Sequence, residues 1–378
     1  MNHFKFHPVG QGLFYTGSIA SGTYNFVYDC GTESKGSYIS NAIDNYVDEI
    51  SVINKKPTID FVVISHLHAD HFNGLYELSQ KAHIKKVYLP YLGNNNFMIK
   101  VILYNALLSN SPKRMRAAIQ SDVFKFVCEL YEIERNFDDN FINVEFLGRE
   151  TESSIYDQDG FCYSKQEELL PIKTKEYWKF IFFNKTISSQ HQQNLENNLV
   201  KRNIDLNFAT LEEVIGNGKI QDIVDAYRDT FKNNQNITST ILYHYPIIDK
   251  AIICFKRRCC MNCGRYCLTK YRSMNNVKQD TLLTGDAEFS NQLVKQMILA
   301  ESGLTKEKIV VLQVPHHGAK ENWIKIDGTG IKAEQYVVSF GLGNKYKHPS
   351  IRAVNDILGR KEKIGEVNQI CSFEYFIY

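Results

Sequence analysis

The feature that most constrains this 378-residue chain is a run of metal-ligating side chains directly after a short apolar strand. Pro57 precedes Phe61-Val62-Val63-Ile64, and the chain continues Ser65-His66-Leu67-His68-Ala69-Asp70-His71. Such a strand carries the chain to a sheet edge and leaves the polar residues on the turn that follows. Three of the 11 histidines fall within six residues here, a density that a chance polar turn does not explain. Two imidazoles, then a carboxylate with a third imidazole, suit two adjacent divalent ions. His66 and His68 would share one ion, and Asp70 and His71 would hold the other. Imidazole and carboxylate donors favour zinc, manganese or iron over calcium.

Four further places end an apolar strand on a residue of the same chemistry. Asp29 closes Val27-Tyr28-Asp29-Cys30-Gly31, where a carboxylate could orient a ligand imidazole or simply make a turn. Asp286 closes Leu282-Leu283-Thr284-Gly285-Asp286, where it could bridge two ions. His316 and His317 follow Ile309 to Pro315, and either could be a ligand. His348 lies in Asn344-Lys345-Tyr346-Lys347-His348-Pro349-Ser350, on a turn that proline restricts.

Aromatic and β-branched runs predict strands at 4–9, 13–20 and 24–30, and helical spacing of Ile39, Ile43, Tyr46, Val47 and Ile50 predicts a helix over 36–50. Strand character returns at 239–245, 250–255, 280–286, 308–318, 334–341 and 371–378, with helices expected over 287–303 and 350–361. Between these halves, residues 97–232 carry helical periodicity at 99–108 and 123–133 and no catalytic cluster. The expected organisation is therefore 1–96, a mostly helical insertion or cap over 97–232 that could meet a protein partner, and 233–378. The fold class is α/β (α+β).

Composition narrows the function. Lys+Arg is 44 against Asp+Glu 42, so nucleic-acid binding requires a local patch. Residues 255–278 supply one: seven Lys or Arg, including Lys256, Arg257, Arg258, Arg265 and Arg272, no acid, and interleaved Tyr266 and Tyr271. Cations neutralise phosphates and aromatics stack bases, although a solvated basic hairpin has the same composition. Cys259, Cys260, Cys263 and Cys267 lie in the same stretch, within a Cys-rich insertion at 254–278, and could hold a structural zinc ion or remain free thiols. Nine cysteines, five of them within fourteen residues, do not form a secreted disulfide framework. No apolar run is long enough to span a membrane and no secretory signal opens the chain, so a cytoplasmic protein without membrane contact is expected.

Taken in order, VGQG, YDCG, SHLHADHFNGL, NITS, LLTGD, VPHHG and NKYKHPS resemble the metallo-β-lactamase superfamily. More narrowly they are similar to the metallo-hydrolase domain of the competence DNA-uptake protein ComEC, through Val9 to Gly12, Asn236 to Ser239, Pro315 to Gly318 and Asn344 to Pro349. The resemblance covers about residues 5–95 and 235–378. It implies an αββα sandwich with metals at one edge, ligated by His66, His68, Asp70, His71 and His316 or His317, with Asp286 bridging. Many superfamily members place a further His before the bridging Asp. Asn236 stands near that position here, so one site could be under-coordinated and the protein could work with one ion instead of two. The resemblance implies hydrolysis by a metal-activated water, with Asp70 orienting it and His348 serving the developing charge or the leaving oxygen. Tyr346 or Lys347 would hold a phosphate. The leading expectation is a zinc- or manganese-dependent nuclease acting on DNA or RNA, with the basic-aromatic stretch beside the catalytic strand. The second is a hydrolase of a lactone, thioester or cyclic nucleotide. The third is a binding module that keeps the fold without catalysis.

Overall fold

In a computed structural model, the described residues are 1–52, 57–107, 122–132, 142–152, 154–172, 175–204, 214, 217–232, 237–247, 253–258, 266–271, 279–301, 304 and 308–378. The first part of the chain forms β1 (Asn2–Phe6), β2 (Phe14–Ile19), β3 (Tyr24–Cys30), β4 (Thr58–Ile59), β5 (Phe61–Val63), β6 (His83–Ile84), β7 (Lys86–Pro90) and β8 (Asn143–Leu147). Then come β9 (Ile155–Tyr156), β10 (Cys162–Ile172), β11 (Lys175–Thr186), β12 (Ser239–Pro246), β13 (Ile253–Arg258) and β14 (Tyr266–Tyr271). The last five are β15 (Thr281–Leu283), β16 (Ile309–Gln313), β17 (Ala333–Ser339), β18 (Lys363–Val367) and β19 (Phe373–Ile377).

These strands make two large sheets, ordered β14-β13-β19-β1-β2-β3-β5-β7-β8 and β18-β17-β16-β15-β12-β11-β10-β9, and a small third in which β4 pairs with β6. Alternation along each strand sorts the side chains. Phe4, Phe6, Tyr15, Phe26, Tyr28 and Phe61 of the first sheet meet Trp178, Phe180, Phe182, Leu242, Leu283 and Val311 of the second in one buried layer. Phe26 and Phe61 both set edges against Phe180, with centroids 5.2 and 5.1 Å apart. Residues of the other parity, such as Val27, Val62 and Val87, lie under helices. Helix Tyr38–Ser51 buries Ala42, Ile43, Tyr46 and Ile50, the stripe its spacing dictates. The result is two sheets face to face with helices outside, the αββα arrangement.

The stretch 97–232 adds strands to the helices expected there. It contains helices Asn96–Leu107, Asp122–Glu132, Ser189–Val200 and Ile220–Phe231, but also four strands that belong to the sandwich. β8 pairs with β7 in the first sheet, and the long β10–β11 hairpin pairs with β12 in the second. Trp178, Phe180 and Phe182 point into the layer between the sheets, while Ile181 and Phe183 lie under helices. Period-two aromatic burial is a strand signal, masked in the sequence by the surrounding Lys, Glu and Asn. Strand β18 also went unpredicted. A correction concerns the basic stretch. β13 and β14 form an antiparallel hairpin that pairs with β19, in the other sheet from β15 and five strands from β5. Among the described residues no helix is long and apolar enough to cross a membrane.

One buried polar chain crosses the inter-sheet layer. Tyr15 Oη lies 3.0 Å from His244 Nε2 and 2.7 Å from Tyr375 Oη, while Trp178 Nε1 donates to His244 Nδ1 at 3.3 Å. Burial pushes His244 down to about 3. Unfolded, this imidazole takes up a proton near pH 6.5, whereas the folded one stays neutral. Its contribution to stability is therefore complete above pH 6.5 and lost as pH falls toward 3, at about 1.4 kcal/mol per pH unit. Urea titrations at pH 7 and pH 5 should show the wild type losing more stability over that interval than His244→Gln, by close to one proton's worth of slope.

Candidate metal centre

The site forms where the two sheets meet, at the carboxyl ends of parallel strands. β3 runs parallel to β5, and β15, β16 and β17 run parallel to one another. Tyr28 Oη donates to Thr240 O, and Thr240 N donates to Ser65 O at 2.8 Å, so the sheets are tied together beside the site. Two glycines permit the close approach. A Cβ on Gly31 would lie 2.6 Å from the backbone of Asp70 and His71, and one on Gly285 would lie 2.7 Å from Ser65 Oγ.

The structure brings His66, His68, Asp70, His71, Asp286, His316 and His317 together. His66, His68 and Asp286 form one group whose ligand atoms lie within 4.8 Å of one another, and Asp70, His71 and His317 form a second. The histidine pair divides here: His317 groups with Asp70 and His71, whereas His316 Nε2 lies 3.6 Å from Asp286 Oδ2. Asp286 reaches both groups. Its Oδ1 is 3.2 Å from His71 Nε2, and its Oδ2 is 3.7 Å from His66 Nε2. Asp70 Oδ2 lies 3.1 Å from His317 Nε2.

The imidazoles are aimed by partners at their other nitrogens. Asp29, in left-handed backbone at φ 57°, accepts from His71 Nδ1, Ser65 N and Ser65 Oγ, each at 2.7 Å. His317 Nδ1 donates to Ser339 O at 2.8 Å, and Ser65 Oγ lies 3.0 Å from His66 Nδ1. These contacts leave Nε2 of all three rings facing the centre. Sequence reasoning missed Ser65 and Ser339, and also Gln313. The Gln313 amide accepts from Thr284 N and Gly285 N at 2.7 and 2.8 Å and donates to Gly285 O, clamping the turn that carries Asp286. A glutamine inside the apolar run Ile309–Val314 was the available signal. A backbone carbonyl such as that of Ser339 leaves none.

Burial and neighbouring charge set the ionisation. Burial lowers His66 well below the usual imidazole range, helped by His71 and His68. Burial also lowers His68. Burial opposes ionisation of Asp286, but His316, His71 and His317 outweigh it and hold the carboxyl well below its ordinary value. Asp70 is lowered against burial by His71 and His317. Burial opposes protonation of His71 and His317, but Asp286 and Asp70 outweigh it and raise both, so His66 and His68 offer neutral nitrogens, the carboxylates are ionised, and a metal would displace a proton from His71 and His317. His66 Nε2 is buried with no hydrogen-bond partner, as a donor atom awaiting a cation would be. The donor set fits two borderline divalent ions.

His348 lies at the rim, its ring 5.7 Å from that of His316 and 6.5 Å from that of His317. Asn344 pins its turn, accepting from His348 N at 3.0 Å and donating to His348 O at 2.7 Å. Burial, then His317 and His316, hold His348 down to about 4. Tyr346 stacks on His348 at 5.8 Å and donates to Glu33, and Lys347 projects from the same turn. Lys256, Arg257 and Arg258 occupy the last three positions of β13, and Tyr266 and Tyr271 bound β14. Cys267 lies within β14, whereas Asn236, Cys259, Cys260, Cys263, Arg265 and Arg272 lie outside the described residues. Replacing Asp29 by Asn should weaken divalent-metal affinity about 10–100-fold, because the His71 ring loses its orienting acceptor. Isothermal titration of the stripped protein measures this.

Residues 16–145 match the family described as the metallo-beta-lactamase superfamily. That span includes Asp29 and His66 to His71, but not Asp286 or the later histidines. Among solved structures, the chain is similar to a long form RNase Z from yeast at 10% identity and TM-score 0.33, covering 89% of this chain and 36% of that one. It is also similar to a diphosphatase from the PhnP family at 12% identity and TM-score 0.19, covering 50% and 63%. The chain thus spans about a third of the first and under two thirds of the second. Among curated proteins none matches. Residues 16–145, about a third of the chain, are thus similar to the metallo-β-lactamase superfamily, and the αββα arrangement extends around them.

Proposed function

We propose that this protein is a metal-dependent hydrolase of phosphodiester bonds, acting on DNA or RNA. The observation that carries the reading is Asp286 standing between two ligand groups, one oxygen toward each. Two divalent ions, when bound, supply a water of near-neutral pKa and an electrophilic hold on a phosphoryl oxygen. His66, His68 and Asp286 would hold one ion, and Asp70, His71 and His317 the other. Asp29 keeps the proton of His71 on Nδ1, so Nε2 stays available. Asp70 is ionised and accepts a hydrogen bond from the attacking water, orienting it and then receiving its proton. His348 is neutral near pH 7 and donates its ring N–H to the phosphoryl or leaving oxygen as charge develops.

The basic hairpin supports a polymeric substrate. β13 and β1 are both antiparallel to β19, β1 and β3 are both antiparallel to β2, and β3 is parallel to β5. The end of β13 that carries Lys256, Arg257 and Arg258 therefore lies at the same end of the sheet as Asp29 and the histidine run. Five strand spacings separate β13 from β5, about 24 Å at ~4.8 Å each. At about 3.4 Å per nucleotide this is a reach of roughly seven nucleotides. Cys259, Cys260, Cys263 and Cys267 would hold a structural zinc ion. The ComEC-like motifs lean toward the same substrate class.

The test is cleavage of end-labelled single- and double-stranded DNA and RNA with added manganese or zinc. His68→Ala, Asp70→Ala should lower the rate by at least about 100-fold. Reversing Lys256, Arg257 and Arg258 to Glu should raise KM more than it lowers kcat, and flatten the salt dependence by about 0.7–0.9 per lost phosphate contact. Metal-loaded protein that cleaves no polynucleotide but opens a lactone, thioester or cyclic nucleotide would transfer the assignment to the small-molecule reading.

A further inference from the structure

His316 and His317 are neighbours in sequence, yet their rings diverge, with centroids 6.3 Å apart and planes at 74°. Each approaches a different oxygen of Asp286. His317 Nε2 lies 3.9 Å from Oδ1, the oxygen that His71 Nε2 approaches at 3.2 Å. His316 Nε2 lies 3.6 Å from Oδ2, the oxygen that His66 Nε2 approaches at 3.7 Å. Each carboxylate oxygen is thus flanked by two imidazole nitrogens. Donor atoms bound tetrahedrally to one ion at about 2.1 Å stand roughly 3.4 Å apart, so both approaches to Oδ2 have the separation of ligands sharing an ion.

The backbone is bent to produce this divergence. His316 and His317 both adopt left-handed conformations, at φ 49° and 52°, which side-chain-bearing residues seldom take. Gly318 continues the turn at φ 80°, and His316 N donates to Gly285 O at 3.0 Å, anchoring it to the loop that carries Asp286. Two successive left-handed non-glycine residues persist only where the surroundings over-determine them. Aiming His317 alone accounts for one of them. The His66–His68–Asp286 group holds three protein donors, one short of a closed four-coordinate set. His316 is partly exposed, its side chain 32% accessible, so it can turn onto an ion without repacking the core.

We infer that His316 is the fourth protein ligand of the ion held by His66, His68 and Asp286, through Nε2. This assignment rests on the metal-centre reading above. It would give that ion four protein donors, matching the four that Asp70, His71, His317 and the shared Asp286 would give the other.

The experiment is cobalt(II) titration of metal-stripped full-length protein, followed by visible absorption and by metal content after dialysis. Wild type, His316→Gln, His66→Gln, His71→Gln and His348→Gln are compared, with far-UV circular dichroism to verify folding. His316→Gln should weaken by at least ~100-fold the same cobalt equivalent that His66→Gln loses, a larger loss than orienting partners cause. It should leave the equivalent that depends on His71, and His316→Asp, which restores a donor, should recover part of the affinity. Unchanged cobalt binding and spectrum in His316→Gln would overturn the assignment, even if catalysis fell. So would a loss equalled by His348→Gln, or one at the His71-dependent ion. Wild type that binds no cobalt would instead remove the metal-centre reading beneath it.

Discussion

Everything at the functional end of this molecule depends on keeping ionisable groups buried beside one another. His66, His71, Asp29, Asp286 and His317 are each at most 3% exposed. An isolated charge in such a place costs several kcal/mol, so each group persists only because a partner offsets the loss of water. Asp29 is stabilised by three donors from His71 and Ser65, His317 by Ser339 O, and Asp286 by the imidazoles around it. The network is the reason His66, His71 and His317 present Nε2 and not Nδ1 to the centre.

The sandwich supplies the rigidity this demands. Side chains that must sit within a fraction of an ångström come from five strand ends in two sheets. They keep their places because aromatic packing between the sheets leaves little freedom. Glycines at 31 and 285 and the Gln313 clamp bring backbone within contact distance where a larger residue, or an unclamped turn, would hold the sheets apart. The same geometry puts the end of the basic β13 at the edge that carries the centre, although the hairpin belongs to the opposite margin of its sheet.

Much of this was legible before folding. The strand-then-ligand pattern at Asp29, His66 to His71, Asp286 and His316 to His317 marked the residues that meet, because buried strands ending in polar ligating residues have few other uses. The hairpin β10–β11 was not legible as part of the sandwich. Its aromatic alternation sits among Lys, Glu and Asn, and only pairing with β12 makes that alternation decisive. The partners Ser65 and Ser339 were also hidden, since a hydroxyl of common type and a backbone carbonyl carry no motif. Burial of His244 in the inter-sheet layer reads from sequence as one more strand residue.

The sequence by itself determined the chemistry: imidazole and carboxylate donors, grouped behind strands, in a chain with enough apolar residues to bury them. Only the tertiary structure decided which donors share a group. It separated His316 from His317, carried Asp286 between the two clusters, and moved the basic hairpin into the other sheet. The physical reason is that side-chain type is local, whereas a coordination polyhedron is set by distances among strand ends more than two hundred residues apart in the chain, which exist only once both sheets have closed on their common core.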